Sequence, residues 1–146
     1  MTIGYAGASQ QAVVRTLLHY DVETLLDIRE TPLSRKPGMS RKSLAVDVPA
    51  HGIRYDHIRA LGTPRDIRHR RKVDKDFEAF RTAFVDYLLT QDDAMRDLVD
   101  RALRERCCLM CYEADPADCH RWFVAERAVE LSGGALSIVH LEVMVE

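Results

Sequence analysis

The chain has no uninterrupted apolar run near the ~20 residues that cross a bilayer, so no membrane-spanning helix is expected. It also lacks a strong charge of either sign. The net charge of -2 leaves no global field to draw nucleic acid or an anionic membrane, although a local basic patch is compatible with it. Met1-Thr2-Ile3-Gly4-Tyr5 lacks the basic-then-apolar order of a signal peptide. A cytoplasmic protein with no membrane partner is therefore expected. No repeat, low-complexity segment or linker interrupts the chain, so residues 1–146 read as a single domain. Cysteine is absent from most of the sequence: Cys107, Cys108, Cys111 and Cys119 are close neighbours. Cysteines so clustered cannot staple distant parts of a fold. In a reducing compartment they are expected as free thiols.

What is present suits a soluble globular fold, with 47% apolar and 30% charged residues. Thr2 to Tyr5 reads as an opening strand. Ser9 caps a helix through His19, whose Val13, Val14, Leu17 and Leu18 form one stripe. Val22 to Ile28 is a mostly apolar run of strand length, suited to a strand covered on both faces. Arg29 to Gly38 is a loop with two prolines. Ser40 starts a helix through Ala50 that Pro49 should kink or end. Ile53 to Ile58 alternates as a strand. Leu61 to Lys72 (LGTPRDIRHRRK) reads as a long basic loop. Phe77, Phe80, Phe84 and Leu88 mark one helix. Met95, Leu98, Val99 and Ala102 mark another, with a break near Gln91-Asp92. Cys107 to Tyr112 is a fourth strand, Asp115 or Asp118 caps a helix to about Leu131, and Leu136 to Val145 is a last strand.

Strands alternating with helices imply an α/β fold: a three-layer sandwich with a mostly parallel five-stranded sheet and helices on both faces. The expected strand order is 3-2-1-4-5. Ligands in such sheets bind beyond the carboxyl ends of the strands, where the order reverses direction. That rule gathers Tyr5, Asp27 with Arg29, and Cys111 with Glu113 on one rim, since side chains two apart on a strand share a face.

Each of these groups has a structural and a chemical reading. Asp27 suits a partner for Arg29 or for the next loop, and equally a site acid or base. Arg29, Arg35, Lys36 and Arg41 flank a loop that also offers Ser34; they read as a solvated basic loop or as an anion clamp. Cys119 and His120 are placed in the first turn of a helix, where a cysteine is either an activated thiolate or a small buried residue. Successive helical residues point ~100° apart, which argues against those two neighbours working as a nucleophile pair. The Cys108-Cys111 pair lies in a strand, on opposite faces, so it does not grip one ion. An irregular site of Cys111, Cys119 and His120 with Glu113 is a weaker alternative. No metal and no cofactor is expected. Arg65, Arg68, His69, Arg70, Arg71 and Lys72 form a basic patch that would contact nucleic acid or stand solvated against Asp74, Asp76 and Glu78.

Several motifs together resemble a bacterial family catalogued as domain of unknown function 488. The opening TIGYAG is similar to its first strand and turn. Asp27-Ile28-Arg29-Glu30-Thr31-Pro32-Leu33-Ser34-Arg35 is similar to its second-strand loop. Cys111, Glu113, Pro116, Cys119, His120 and Arg121 match its C-x-E-x-x-P-x-x-C-H-R signature, and Gly52-Ile53-Arg54-Tyr55 with Leu61-Gly62 resembles its middle. The resemblance implies an α/β sandwich and a shared rim of Asp27, Arg29, Ser34, Arg35, Glu113, His120 and Arg121. It brings no activity with it.

The leading expectation is a small enzyme, a hydrolase or transferase, acting on an anionic substrate that bears phosphate, such as a nucleotide or a nucleic-acid end. Asp27, Glu113, Cys119 and His120 are the candidate catalytic groups. Tyr5, Arg29, Ser34, Arg35, Cys111 and Arg121 are the candidate binding groups. Two carboxylates on one rim divide acid from base work when their environments differ. The alternative is a regulatory module that binds a ligand or nucleic acid and senses oxidants through its thiols.

Overall fold

In the computed structural model, which describes residues 1–145, each expected strand and helix is present, several with shifted bounds, and one expected loop is a helix. Strand β1 is Thr2–Gly4, β2 is Thr24–Asp27, β3 is Arg54–His57, β4 is Cys107–Cys111 and β5 is His140–Leu141. Helices α1 (Gln10–His19), α2 (Arg41–Asp47), α3 (Arg65–Asp74), α4 (Phe77–Leu89), α5 (Asp92–Arg104) and α6 (Arg121–Leu131) connect them. Local chemistry sets the helix starts. Ser9 Oγ accepts from Ala12 N at 3.1 Å and Ser40 Oγ from Ser43 N at 3.3 Å, each satisfying an otherwise orphan donor. As Pro49 requires, α2 stops at Asp47, and Pro49–His51 continue only as a 3-10 turn closed by Gly52.

All strand pairings are parallel, and the order is 3-2-4-1-5. The expected order placed β1 at the centre. The chain instead steps from β1 past one position to β2, and β4 later fills the gap between them. The reason lies in the strands themselves. Every residue of β4 (CCLMC) is buried, and it pairs with β2 on one side and β1 on the other. The three-residue β1 leaves only Thr2 and Ile3 for β5, so the expected Leu136–Val145 strand reduces to His140–Leu141.

Helices α1 and α2 cover one face, packing Val13, Leu17 and Leu44 on Ile3, Leu25 and Met110. Helices α3 to α6 cover the other, packing Ile67, Phe84, Leu98 and Val124 on Leu26 and Leu109. The connections leave β4 toward one face and β1 and β2 toward the other, so β4 has a topological switch on both of its edges.

The basic stretch expected as a loop is instead helix α3. Composition misleads here because only Ile67 is buried. Pro64 sets the entry, Asp66 lies in the first turn, and Arg71 and Lys72 lie in the last, so the charges complement the helix dipole. The start of α6 also differs. Asp115 caps a 3-10 turn over Pro116–Asp118, Cys119 is extended, and α6 begins at Arg121 after His120. Among the described residues, no helix is long and apolar enough to cross a membrane.

Candidate functional site

The carboxyl ends of β2, β4 and β1 meet α3 around a cleft of about 920 Å³. Tyr5, Arg29, Ser34, Arg35, Cys111, Glu113 and His120 line it, together with Glu30, Thr63, Arg68, Arg71 and Lys72. Asp27, Cys119 and Arg121 lie behind this surface.

Asp27 is fully buried, and its carboxylate is saturated. Oδ1 accepts from Arg29 Nε at 2.8 Å and Arg29 N at 3.2 Å. Oδ2 accepts from Arg29 Nη2 and from Tyr55 OH, both at 2.6 Å. Arg29 Nη1 donates onward to Tyr5 OH at 3.0 Å and Met39 O at 2.8 Å. Burial opposes the guanidinium charge, but the hydrogen bonds and charge of Asp27, with Tyr5, outweigh it and raise the Arg29 pKa. Burial, then Asp27, raises the Tyr55 pKa, so that phenol stays a donor. Between its two readings Asp27 takes the first: it orients Arg29 from behind.

Arg121 is also fully buried, and among the described residues no carboxylate pairs with it. It donates to Thr2 Oγ1 at 3.2 Å, Cys111 Sγ at 3.3 Å, Ala114 O at 3.1 Å and Glu113 O. Burial lowers its pKa, with partial compensation from nearby groups including Glu113 and Asp115. Its position makes it the clasp of the 111–114 turn and not a contact for anything in the cleft. Gly4 is part of the same clasp: a Cβ there would lie 1.8 Å from Glu113 O, so only glycine lets the turn cross β1 this closely. Gly62 serves the opposite wall, where a Cβ would lie 2.2 Å from Glu30 N.

Cys111 and Cys119 are joined as a disulfide, while Cys107 and Cys108 are free. The expectation of four free thiols therefore holds only for Cys107 and Cys108. Burial pushes the latter thiol up to about 12, which keeps it protonated and unreactive. It lies on the sheet face opposite Cys111, so the Cys108-Cys111 pair is split as expected.

Cys119 and His120 would diverge only if both were helical. Because Cys119 is extended, its Sγ lies 3.7 Å from His120 Nδ1. His120 Nε2 is 2.8 Å from Ile28 O. A carbonyl only accepts, so Nε2 carries the hydrogen and Nδ1 the lone pair. Burial lowers the His120 pKa to about 4, and Arg121 and Arg71 add to the effect, against the hydrogen bond to Ile28. The ring is neutral near pH 7.

Three of the five cations that line the cleft come from α3. Helical spacing of three and four brings Arg68, Arg71 and Lys72 to the cleft, while Arg65, His69 and Arg70 stand exposed outside it. Arg71 Nη1 lies 3.5 Å from Glu113 Oε1, and Arg71 also sits over the Phe80 ring at 5.0 Å. Arg59 and Arg68 approach Glu30 at 3.8 and 4.0 Å. Ser34 Oγ accepts from Lys36 N at 3.1 Å, which shapes the loop carrying Arg35. Tyr55 and Thr63 were missed in sequence. The only signal for Tyr55 was its inward place in the Ile53–Ile58 alternation.

The geometry can hold an anion, since five cationic side chains face two carboxylates that are already ion-paired. Of those two carboxylates, Glu30 and Glu113, the latter is the more exposed. No curated protein and no solved structure shows significant similarity to the chain. A family model described as domain of unknown function DUF488 matches residues 9–128, a span that holds the second-strand loop, α3 and the whole C-x-E-x-x-P-x-x-C-H-R segment. The chain belongs to the DUF488 family.

Proposed function

We propose that the protein is an enzyme of the hydrolase or transferase class, acting on a phosphate-bearing substrate in this cleft. One observation carries the reading: Arg29, Arg35, Arg68, Arg71 and Lys72 converge on a concave surface at the switch point of a parallel sheet. Guanidinium groups on two facing walls suit the several oxygens of a phosphate. Arg29 is the fixed member, oriented by Asp27, Tyr5 and Met39 O. Arg71 and Arg68 are the adjustable ones. Glu113 is the acid–base group, because it is the more exposed of the two carboxylates that line the cleft and it lies beside Arg71 at 3.5 Å. His120 is not the proton carrier near pH 7, since its Nε2–H is committed to Ile28 O. The bond broken is phosphoryl or glycosidic.

The test is a thermal-shift screen of nucleotides, sugar phosphates and short oligonucleotides, followed by turnover assays on the compounds that bind. A phosphate-bearing hit that raises the melting temperature, loses its effect in Arg71→Ala and turns over roughly 10²–10⁴-fold more slowly with Glu113→Gln supports the proposal. Hits that are all uncharged, or unchanged turnover in Glu113→Gln, would overturn it.

A second reading is favoured by the disulfide. Cys111 lines the cleft while its partner Cys119 sits behind it, so thiol oxidation would act directly on the ligand surface. In this reading the cleft is the ligand pocket of a redox-sensing module in a reducing cytoplasm. Exposed Arg65, His69 and Arg70 would extend its basic surface toward nucleic acid.

A further inference from the structure

The anion reading leaves one constellation unused. Cys111 Sγ, Cys119 Sγ and His120 Nδ1 are buried and lie within 4.8 Å of one another. Closeness alone does not make a metal site. Three further observations point to a metal ion.

The first is the imidazole. His120 donates Nε2–H to Ile28 O at 2.8 Å, and its Nδ1 lone pair faces Cys119 Sγ. Metal-bound histidines are held this way, with the second ring nitrogen fixed on a carbonyl or carboxylate. The second is spacing. Tetrahedral zinc, with sulfur at ~2.3 Å and nitrogen at ~2.0 Å, places those two ligands about 3.5 Å apart. The Sγ to Nδ1 separation of Cys119 and His120 is 3.7 Å. The third is charge. Cys111 Sγ receives Arg121 Nη1 at 3.3 Å and Cys119 Sγ receives Arg121 N at 3.5 Å. Such donors stabilise thiolates, the form that binds metal.

We infer that the reduced protein binds one zinc-class ion on Cys111, Cys119 and His120, and that the disulfide is the oxidised, metal-free form of the same site. Two thiolates and an imidazole select a borderline-soft ion over magnesium or calcium. Cys111 and His120 line the cleft with Glu113, whose Oε2 lies 3.7 Å from Cys111 Sγ, so a fourth ligand would come from the cleft. Three protein ligands with an open corner is the pattern of reactive zinc sites.

The two forms exclude each other, because sulfurs bonded together are no longer thiolate ligands. With hydrogen peroxide as oxidant, the two bound thiolates form the S–S bond and give up two electrons. The peroxide takes those electrons and two protons to become two waters, and the ion leaves with its charge unchanged. The inference rests on the cluster alone and holds whichever anion the cleft takes.

The experiment uses the full chain, reduced with a phosphine and freed of metal. Cobalt(II) titration should saturate at one equivalent, with thiolate-to-cobalt charge-transfer absorption and tetrahedral d–d bands that zinc then abolishes. X-ray absorption of the zinc form should show two sulfurs and one imidazole nitrogen. Cys111→Ser and Cys119→Ser should each weaken binding by more than the roughly 100-fold upper range for losing an outer partner. The double variant Cys107→Ser, Cys108→Ser should bind as the parent does. Peroxide should release one ion per disulfide formed, read with a chromophoric chelator and mass spectrometry. The site is refuted if the folded, reduced parent protein takes up no cobalt or zinc, if its absorption shows no sulfur ligands, or if the ion stays bound after the disulfide has formed.

Discussion

The sheet wall and the α3 wall of the cleft both present arginines, and they hold them in opposite ways. Arg29 is 8% exposed and donates to a carboxylate, a phenol and a carbonyl at 2.6–3.0 Å. Arg68 is 47% exposed, and its nearest carboxylate oxygen is 4.0 Å away. Buried, well-bonded groups have a fixed geometry and present a ligand with a donor already in place. Exposed groups with long, screened pairings contribute little to stability and are free to exchange partners. The same residue type is thus held rigid on one wall and left adjustable on the other.

Breaking the scaffold side should produce the largest effect. Asp27→Asn leaves Arg29 charged and buried without its counterion, and the expected loss is about 3–5 kcal/mol in urea unfolding. Replacing Tyr55 by Phe removes one donor to the same oxygen and should cost about 1 kcal/mol. If Asp27→Asn cost no more than a surface substitution, the pair would not be the positioning device described.

The second effect is also on the sheet wall and depends on pH. His120 has a pKa near 4 in the folded chain against an ordinary 6.5. Between those values the unfolded chain binds a proton that the folded chain does not, so stability falls as pH falls through that window. Above pH 6.5 the term is constant. It amounts to about 3 kcal/mol. Urea midpoints of the metal-free protein and of His120→Gln, measured across pH 4 to 7, should diverge by that amount. Parallel curves would mean that the ring takes up its proton without cost.

How far these walls were legible in sequence follows from the same distinction. Asp27 and Arg29 share a strand face, and their pairing was readable as one of two alternatives from the two-residue period. The alternation of strands and helices was enough for the fold class and for the rim. The position of β4 was not readable, because a right-handed crossover of either span satisfies the same pattern. Helix α3 was hidden since it has one apolar anchor, Ile67, and no stripe. With it went the placement of Arg68, Arg71 and Lys72 on the cleft. The 3-10 turn at Pro116–Asp118 was equally invisible, and it is what turns Cys119 and His120 toward each other.

On the α3 wall the expected pattern reverses. Arg71→Ala should leave stability within about 0.5 kcal/mol, because its ion pair to Glu113 is long and partly exposed. Yet it should weaken a phosphate ligand by about 1.5–3 kcal/mol, the range for a hydrogen bond to a charged group. Raising the salt concentration should shrink that difference. Isothermal titration of the parent and the variant with the best nucleotide from the screen reads both quantities. A loss of stability without a loss of affinity would place Arg71 with the scaffold.

The smallest expected effect separates a small-molecule site from a nucleic-acid surface. Arg70 is exposed and lies outside the cleft. Arg70→Ala should change neither folding nor the affinity for a nucleotide. If the α3 surface also tracks a nucleic-acid backbone, each lost phosphate contact lowers the slope of log affinity against log salt by about 0.7 for single strands and 0.9 for duplex. Fluorescence anisotropy of labelled oligonucleotides at several salt concentrations measures that slope. An unchanged slope in Arg70→Ala, beside a large loss in Arg71→Ala, confines recognition to the cleft. An equal loss in both variants would mean that the charge of the helix as a whole, and not the concave surface beneath it, does the binding.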